Sequence, residues 1–122
     1  MAASITPLPF SGGSANGRPI KVVAIASPGT QIHATSATAG VYDDVQLWCE
    51  NTDAVSRRLT IEFGGVTAPD DTIVQDIPPG QGLFVVIPGI RLGGLGVLLN
   101  VKAFASVANV LVVAGNVNRY SP

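Results

Sequence analysis

His33 is the only histidine in this chain of 122 residues, and it limits the chemistry available. A metal centre built from several histidines is excluded by count. His33 is also the only base that a serine nucleophile could use, and no G-x-S-x-G elbow presents such a serine. It is expected at a strand edge or paired with a backbone group. The acidic pairs Asp43-Asp44 and Asp70-Asp71 lack the spaced carboxylates of a calcium loop. Both precede strands after flexible stretches, so a turn role is expected, with the carboxylates accepting from nearby backbone N–H groups. The glycine run at 93–96 has no Lys-Ser/Thr after it and reads as a plain loop, not a phosphate cradle. The lone cysteine, Cys49, excludes an internal disulfide and falls on the apolar side of its strand, where a reduced thiol behaves as a small hydrophobe. These residues point to no catalysis, no metal and no cofactor.

The elements that carry them are strands. In Val41 to Gly65, Val45, Leu47 and Cys49 alternate with Gln46, Trp48 and Glu50, and Leu59, Ile61 and Phe63 alternate with Arg58, Thr60 and Glu62. A period of two marks strands with one face on a core. The expected arrangement is a hairpin with Cys49 opposite Leu59, Leu47 opposite Ile61 and Val45 opposite Phe63, turning at Thr52 to Ser56. Trp48 then lies on the outer face across from Thr60, with Glu50 across from Arg58. It either lies along its neighbours or serves as an interface anchor, and Trp48 and Arg58 are candidate interface residues. Further strands are expected at Ile20–Ala26, Gln31–Thr35, Thr72–Ile77 and Gly82–Ile87, the last apolar on both faces and so covered on both sides. A short strand at Ile90–Leu92 precedes the glycine loop. Val97–Ala105 and Asn109–Asn118 are expected to form a final hairpin. Leu111 and Val113 are candidates for a subunit contact, with core burial as the alternative.

Helical periodicity is absent, and 14 glycines and 9 prolines interrupt any long run. The fold class is therefore all-β: one β-sandwich of eight to nine strands, jelly-roll or immunoglobulin-like, over residues 20–122. Residues 1–19 form an extended, flexible N-terminal arm, with Pro7 and Pro9 stiffening its first half and glycines loosening its second. Ile5, Leu8 and Phe10 are apolar groups on that segment. It is expected either as a disordered tail or as an arm that orders on a neighbour and so shelters them, with Arg18 at its hinge.

Only 12% of residues are charged, about half the typical share of roughly 25%. Mean hydropathy is +0.42. Some apolar surface is therefore expected to meet other subunits or a partner. Net charge is −1 and the basic residues are scattered, so nucleic-acid binding is not supported. The segment MAASITPLPF has no basic region leading into an apolar run, so no signal peptide is expected. Leu83 to Phe104 is too broken by Pro88, Arg91 and glycines for a membrane helix.

The strings GRPIKVVAIASPGTQIHAT, VQLWCENTD, LTIEFGGVTAPDDTI, IPPGQGLFVVIPGIRL, VKAFAS and ANVLVVAGNVNR, over about residues 17–119, resemble a family of small tailed-phage virion proteins. The resemblance implies a capsid decoration (cement) protein: a β-sandwich, commonly a homotrimer, seated on the outside of the major capsid protein shell. The protein would be made in the bacterial cytoplasm and carried on the virion, with the arm as a strap onto the shell. The alternatives are a neck or tail-tube ring component and a ligand- or carbohydrate-binding sandwich. Against the binder, the aromatics are few, and Tyr42 and Tyr120 lie far apart in sequence.

Overall fold

The computed structural model describes residues 3–12 and 16–122. No helix occurs among them. Nine strands form two antiparallel sheets: β1 (Ser4–Pro9), β2 (Ile20–Lys21), β3 (Thr30–Ala34), β4 (Ala39–Asn51), β5 (Arg57–Phe63), β6 (Thr72–Ile77), β7 (Phe84–Leu95), β8 (Asn100–Ala105) and β9 (Leu111–Ser121). Sheet A runs β1-β9-β4-β7, with β2 also on β9, and sheet B runs β3-β8-β5-β6.

The pairings nest. β2 bonds β9, β3 bonds β8, β4 bonds β7 and β5 bonds β6. A long two-stranded ribbon rolled up on itself gives this order, which is the jelly roll. The immunoglobulin-like alternative is set aside on this strand order.

Neither expected hairpin exists. β4 lies in sheet A and β5 in sheet B, so Thr52 to Ser56 crosses between layers. The same holds for β8 and β9. The alternation itself is correct: Val45, Leu47, Cys49, Leu59 and Ile61 are all fully buried. Two strands that face each other across a core bury the same residues that two paired strands on one face would. Periodicity therefore reports the inward face and leaves the bonding partner undecided.

Other boundaries also move. Only Ile20 and Lys21 of the expected first strand pair in a ladder. Beyond them Val22 donates to Leu111 O, while Val23 and Ile25 are exposed. Gly82–Ile87 is not doubly covered, because β7 is an edge strand with Val85 exposed. The glycines expected in a separate loop continue β7 as far as Leu95, with irregular register against β4 between Ala39 and Tyr42.

The core fills the space between the sheets with Ile32, Val45, Leu47, Leu59, Ile61, Ile77, Ile87, Val101, Leu111, Val113 and Val117. Leu111 and Val113 thus belong to the interior, and core burial accounts for them. Full burial of each such aliphatic side chain contributes about 1.5–3 kcal/mol.

Residues 4–9 of the arm form β1 on the edge of sheet A, in register from Ser4↔Ser121 to Pro9↔Asn116. Residues 1–2 and 13–15 of the expected arm lie outside the described residues. Pro7 and Pro9 occupy alternate positions, so the N–H groups they lack would both have pointed to the same side of β1. Pairing with β9 takes the other side, which leaves an outer edge poor in donors and a weak template for another strand. Phe10 follows β1 into the core and is only 4% exposed. Its ring explains Gly115: a Cβ there would lie 2.9 Å from the Phe10 ring and would also collide with the Gln46 carbonyl oxygen.

Candidate functional site

Polar chemistry concentrates at one end of the sandwich, where four elements converge. β3 supplies His33, β4 supplies Asp43, β9 supplies Arg119, and the segment after β1 supplies Ser11. Asp43 is fully buried and opposes Arg119 in the β4–β9 register. Arg119 donates from Nε to Asp43 Oδ1 at 2.8 Å and from Nη2 to Oδ2 at 2.9 Å. His33 Nε2 lies 2.6 Å from Asp43 Oδ2. On its other side, the Ser11 backbone N–H donates to His33 Nδ1 at 3.1 Å, and Ser11 Oγ stands 3.3 Å from the same nitrogen. Because Nδ1 accepts, Nε2 carries the proton and donates to Asp43.

The electrostatics follow from the geometry. Burial pushes the His33 pKa below its ordinary value, outweighing the attraction of Asp43, so the imidazole is held neutral. Burial alone would raise the Asp43 pKa, but the bonds from Arg119 and His33 prevail and hold the carboxyl below its usual range. The guanidinium of Arg119 is correspondingly stabilised in its charged form by Asp43.

A serine, a histidine and an aspartate in hydrogen-bonded sequence suggest an acyl-transfer relay, so the remaining requirements decide the matter. An oxyanion needs backbone N–H donors beside the nucleophile. The Ser11 N–H is spent on His33, and the Gly12 N–H on Ile32 O at 2.7 Å. Ser11 Oγ already accepts from the Ala34 N–H at 2.9 Å. Arg119 neutralises the carboxylate that would otherwise strengthen the base. What this arrangement does is hold: it ties the N-terminal segment to β3, and ties sheet B to sheet A.

This constellation differs from what the sequence leads one to expect: in place of a turn role, Asp43 lies inside β4 with its side chain inward. The available signal was phase: Val41, Asp43, Val45, Leu47 and Cys49 share one face, so Asp43 is a charge on an apolar stripe. His33 does lie on an edge strand and does meet a backbone group, as expected, but it also has a carboxylate partner. Asp71 fulfils the turn role, accepting from the Thr67 N–H at 3.1 Å.

The outward faces carry the other candidate residues. On sheet A, Tyr42 stacks on Tyr120 with ring centroids 4.9 Å apart, and Arg91 lies 4.2 Å over the Tyr42 ring. Ile5 opposes Tyr120 from β1 and is exposed. Two rows of Asp44, Asn118, Gln46 and Asn116 separate this stack from Trp48, which is half-buried between Ala114 and Val85. Long separation in sequence therefore did not keep the tyrosines apart, since the β4–β9 register pairs them.

On sheet B, Thr60, Val66, Val74 and Phe104 line a shallow outer groove of about 310 Å³, and Arg58 and Asp76 pair across its edge at 2.9 Å. Below it, buried Glu62 accepts from the Gly29 N–H at 2.7 Å and from the Ser27 hydroxyl, pinning the loop that carries Ile25. Of the expected contact residues, Ile5, Arg18 and Arg58 are exposed, Leu8 packs against the core, and Phe10 is buried and unavailable to a partner in this arrangement. Among the described residues no cluster of His, Cys, Asp and Glu could hold a metal ion. No family model, no curated protein and no solved structure matches this chain.

Proposed function

We propose that this chain is a structural virion protein that binds the outside of a tailed-phage capsid lattice and stabilises the major capsid protein shell. One observation carries the reading: both outer faces of the sandwich present groups suited to contact. Sheet A offers Trp48, Tyr42, Tyr120 and Arg91, the residue types that dominate binding energy at protein interfaces. Sheet B offers a shallow groove whose lining includes the exposed Val66 and Val74 and the ring of Phe104. A module with two such faces can bridge neighbouring subunits, and many symmetric copies multiply modest contacts by avidity. Low charge and the family resemblance support the same reading. The jelly roll adds only an analogy, since viral capsid domains use that fold alongside lectins and cupins.

A second reading has its own support. The Tyr42–Tyr120 stack with Arg91 and the adjacent amides of Gln46, Asn116 and Asn118 would suit a ligand-binding face. Light scattering on the purified full-length chain separates the readings. A trimer is expected for a decoration protein. A ring of six or more copies would move the assignment to the neck or tail tube. A monomer that persists at high concentration would remove the support drawn from low charge and favour the binding module.

A further inference from the structure

We propose that His33 is an acid-operated latch on the N-terminal segment, holding Ser11, and through it Phe10 and β1, against the body of the fold while its imidazole is neutral. The inference does not depend on the proposed function.

Three backbone-anchored bonds fix residues 11 and 12. The Ser11 N–H donates to His33 Nδ1 at 3.1 Å, the Ala34 N–H donates to Ser11 Oγ at 2.9 Å, and the Gly12 N–H donates to Ile32 O at 2.7 Å. Only the first depends on a titratable partner. Nε2 already carries the proton shared with Asp43, so a second proton must enter at Nδ1. The Ser11 N–H points at that same nitrogen, and a protonated Nδ1 would set donor against donor. Ser11 Oγ, the other group near Nδ1, accepts from Ala34 and keeps one further lone pair, but at 3.3 Å it is a longer contact than the N–H bond it would have to replace.

The charged groups facing the ring are Asp43 from β4, which favours the imidazolium, and Arg119 from β9, which opposes it. The residues across from β3 on β8 at this point are Val101 and Asn100, which carry no charge. The Phe10 ring packs 5.8 Å from the imidazole and adds to its desolvation. Protonation and the Ser11 N–H bond to Nδ1 are thus mutually exclusive. Losing the Ser11 N–H bond leaves the segment after Phe10 with two bonds in place of three, those of Ala34 to Ser11 Oγ and of Gly12 to Ile32, and so loosens the anchor behind β1.

Amide hydrogen exchange read by mass spectrometry on the full-length chain tests this at pH 7.5 and pH 5.0, with rates corrected for the intrinsic effect of pH. The peptide covering residues 3–12 is expected to exchange at least ten-fold faster at pH 5.0, while a peptide from β8 holds its protection. His33→Gln removes the titrating acceptor, so its N-terminal peptide is expected to exchange fast at both values. Equal protection of the wild-type peptide at both values would overturn the latch. So would a pH step of the same size in H33Q, or loss of protection across the whole sandwich. Nitrogen NMR of His33 in the wild-type chain gives a check that needs no variant. A neutral ring protonated at Nε2 is expected at pH 7.5, and one protonated at Nδ1 would refute the geometry on which the latch rests.

Discussion

Asp43→Asn keeps the size of a fully buried side chain while removing its charge and half of its accepting capacity. In the wild-type fold, Arg119 delivers two hydrogen bonds to this carboxylate and His33 a third, at 2.8, 2.9 and 2.6 Å. An asparagine offers one oxygen and an NH2 group, so at least one of the two partners faces a donor. Bonds to charged groups contribute about 1.5–3 kcal/mol each. Breaking a buried pair from one side costs about 3–5 kcal/mol. The Arg119 side chain is 27% exposed and can turn towards water, which moves the expectation to the lower end, about 3 kcal/mol. For a domain of this size that corresponds to a fall in Tm of about 10 °C. Urea unfolding at pH 7.5 is the assay, read at unchanged m-value. A loss below about 1 kcal/mol would refute the claim that this network ties the sheets together. The pH dependence has a definite sign. The His33 pKa is lowered in the fold from 6.5, so its contribution is complete above that value and declines as pH falls, because the unfolded chain takes up the proton first. The Asp43 pKa is lowered from 3.8, so its contribution is present above that value and is lost as pH falls through the lower folded value. Wild-type stability should therefore fall in two acid steps, and H33Q should lack the first.

Gly115→Ala is expected to destabilise by about 1–3 kcal/mol in the same urea assay, because the added methyl meets both the Phe10 ring and the β4 backbone. Cys49 is buried and its thiol is pushed up to about 12, so it should resist a thiol-labelling reagent at pH 8 until urea unfolds the chain. Labelling at the rate of a free thiol under native conditions would contradict its place in the core. Arg58→Ala removes an exposed pair with Asp76 and should leave the urea midpoint unchanged.

Much of the inward face was legible in the sequence. Val45, Leu47 and Cys49 announce their side of the pleat by alternation, as do Leu59 and Ile61, and all five are core residues. The partners were not legible, for a physical reason. In a jelly roll, β4 and β5 follow one another in the chain but face each other across the core, and alternation is the same in both arrangements. The long-range register that brings Tyr42 to Tyr120, or Asp43 to Arg119, has no local signature, because it depends on how the whole ribbon rolls. Asp43 was still detectable as a charge in phase with valines and leucines, which asks for a buried cation. The two partners that meet it lie ten and seventy-six residues away, and only the farther one, Arg119, is a cation, since His33 is held neutral. Composition alone points to a flexible strap at the N-terminus, whereas the proline alternation of residues 4–9 suits an edge strand that pairs on one side only.

The most direct test of the proposed function is co-sedimentation of the purified chain with empty tailed-phage heads, with Trp48→Ala as the face variant. The account predicts saturable binding at a fixed number of copies per shell, a shell more resistant to heat once saturated, and weaker binding by W48A with its fold unchanged. A chain that stays in the supernatant at every concentration, while heads and protein are both intact, would contradict it.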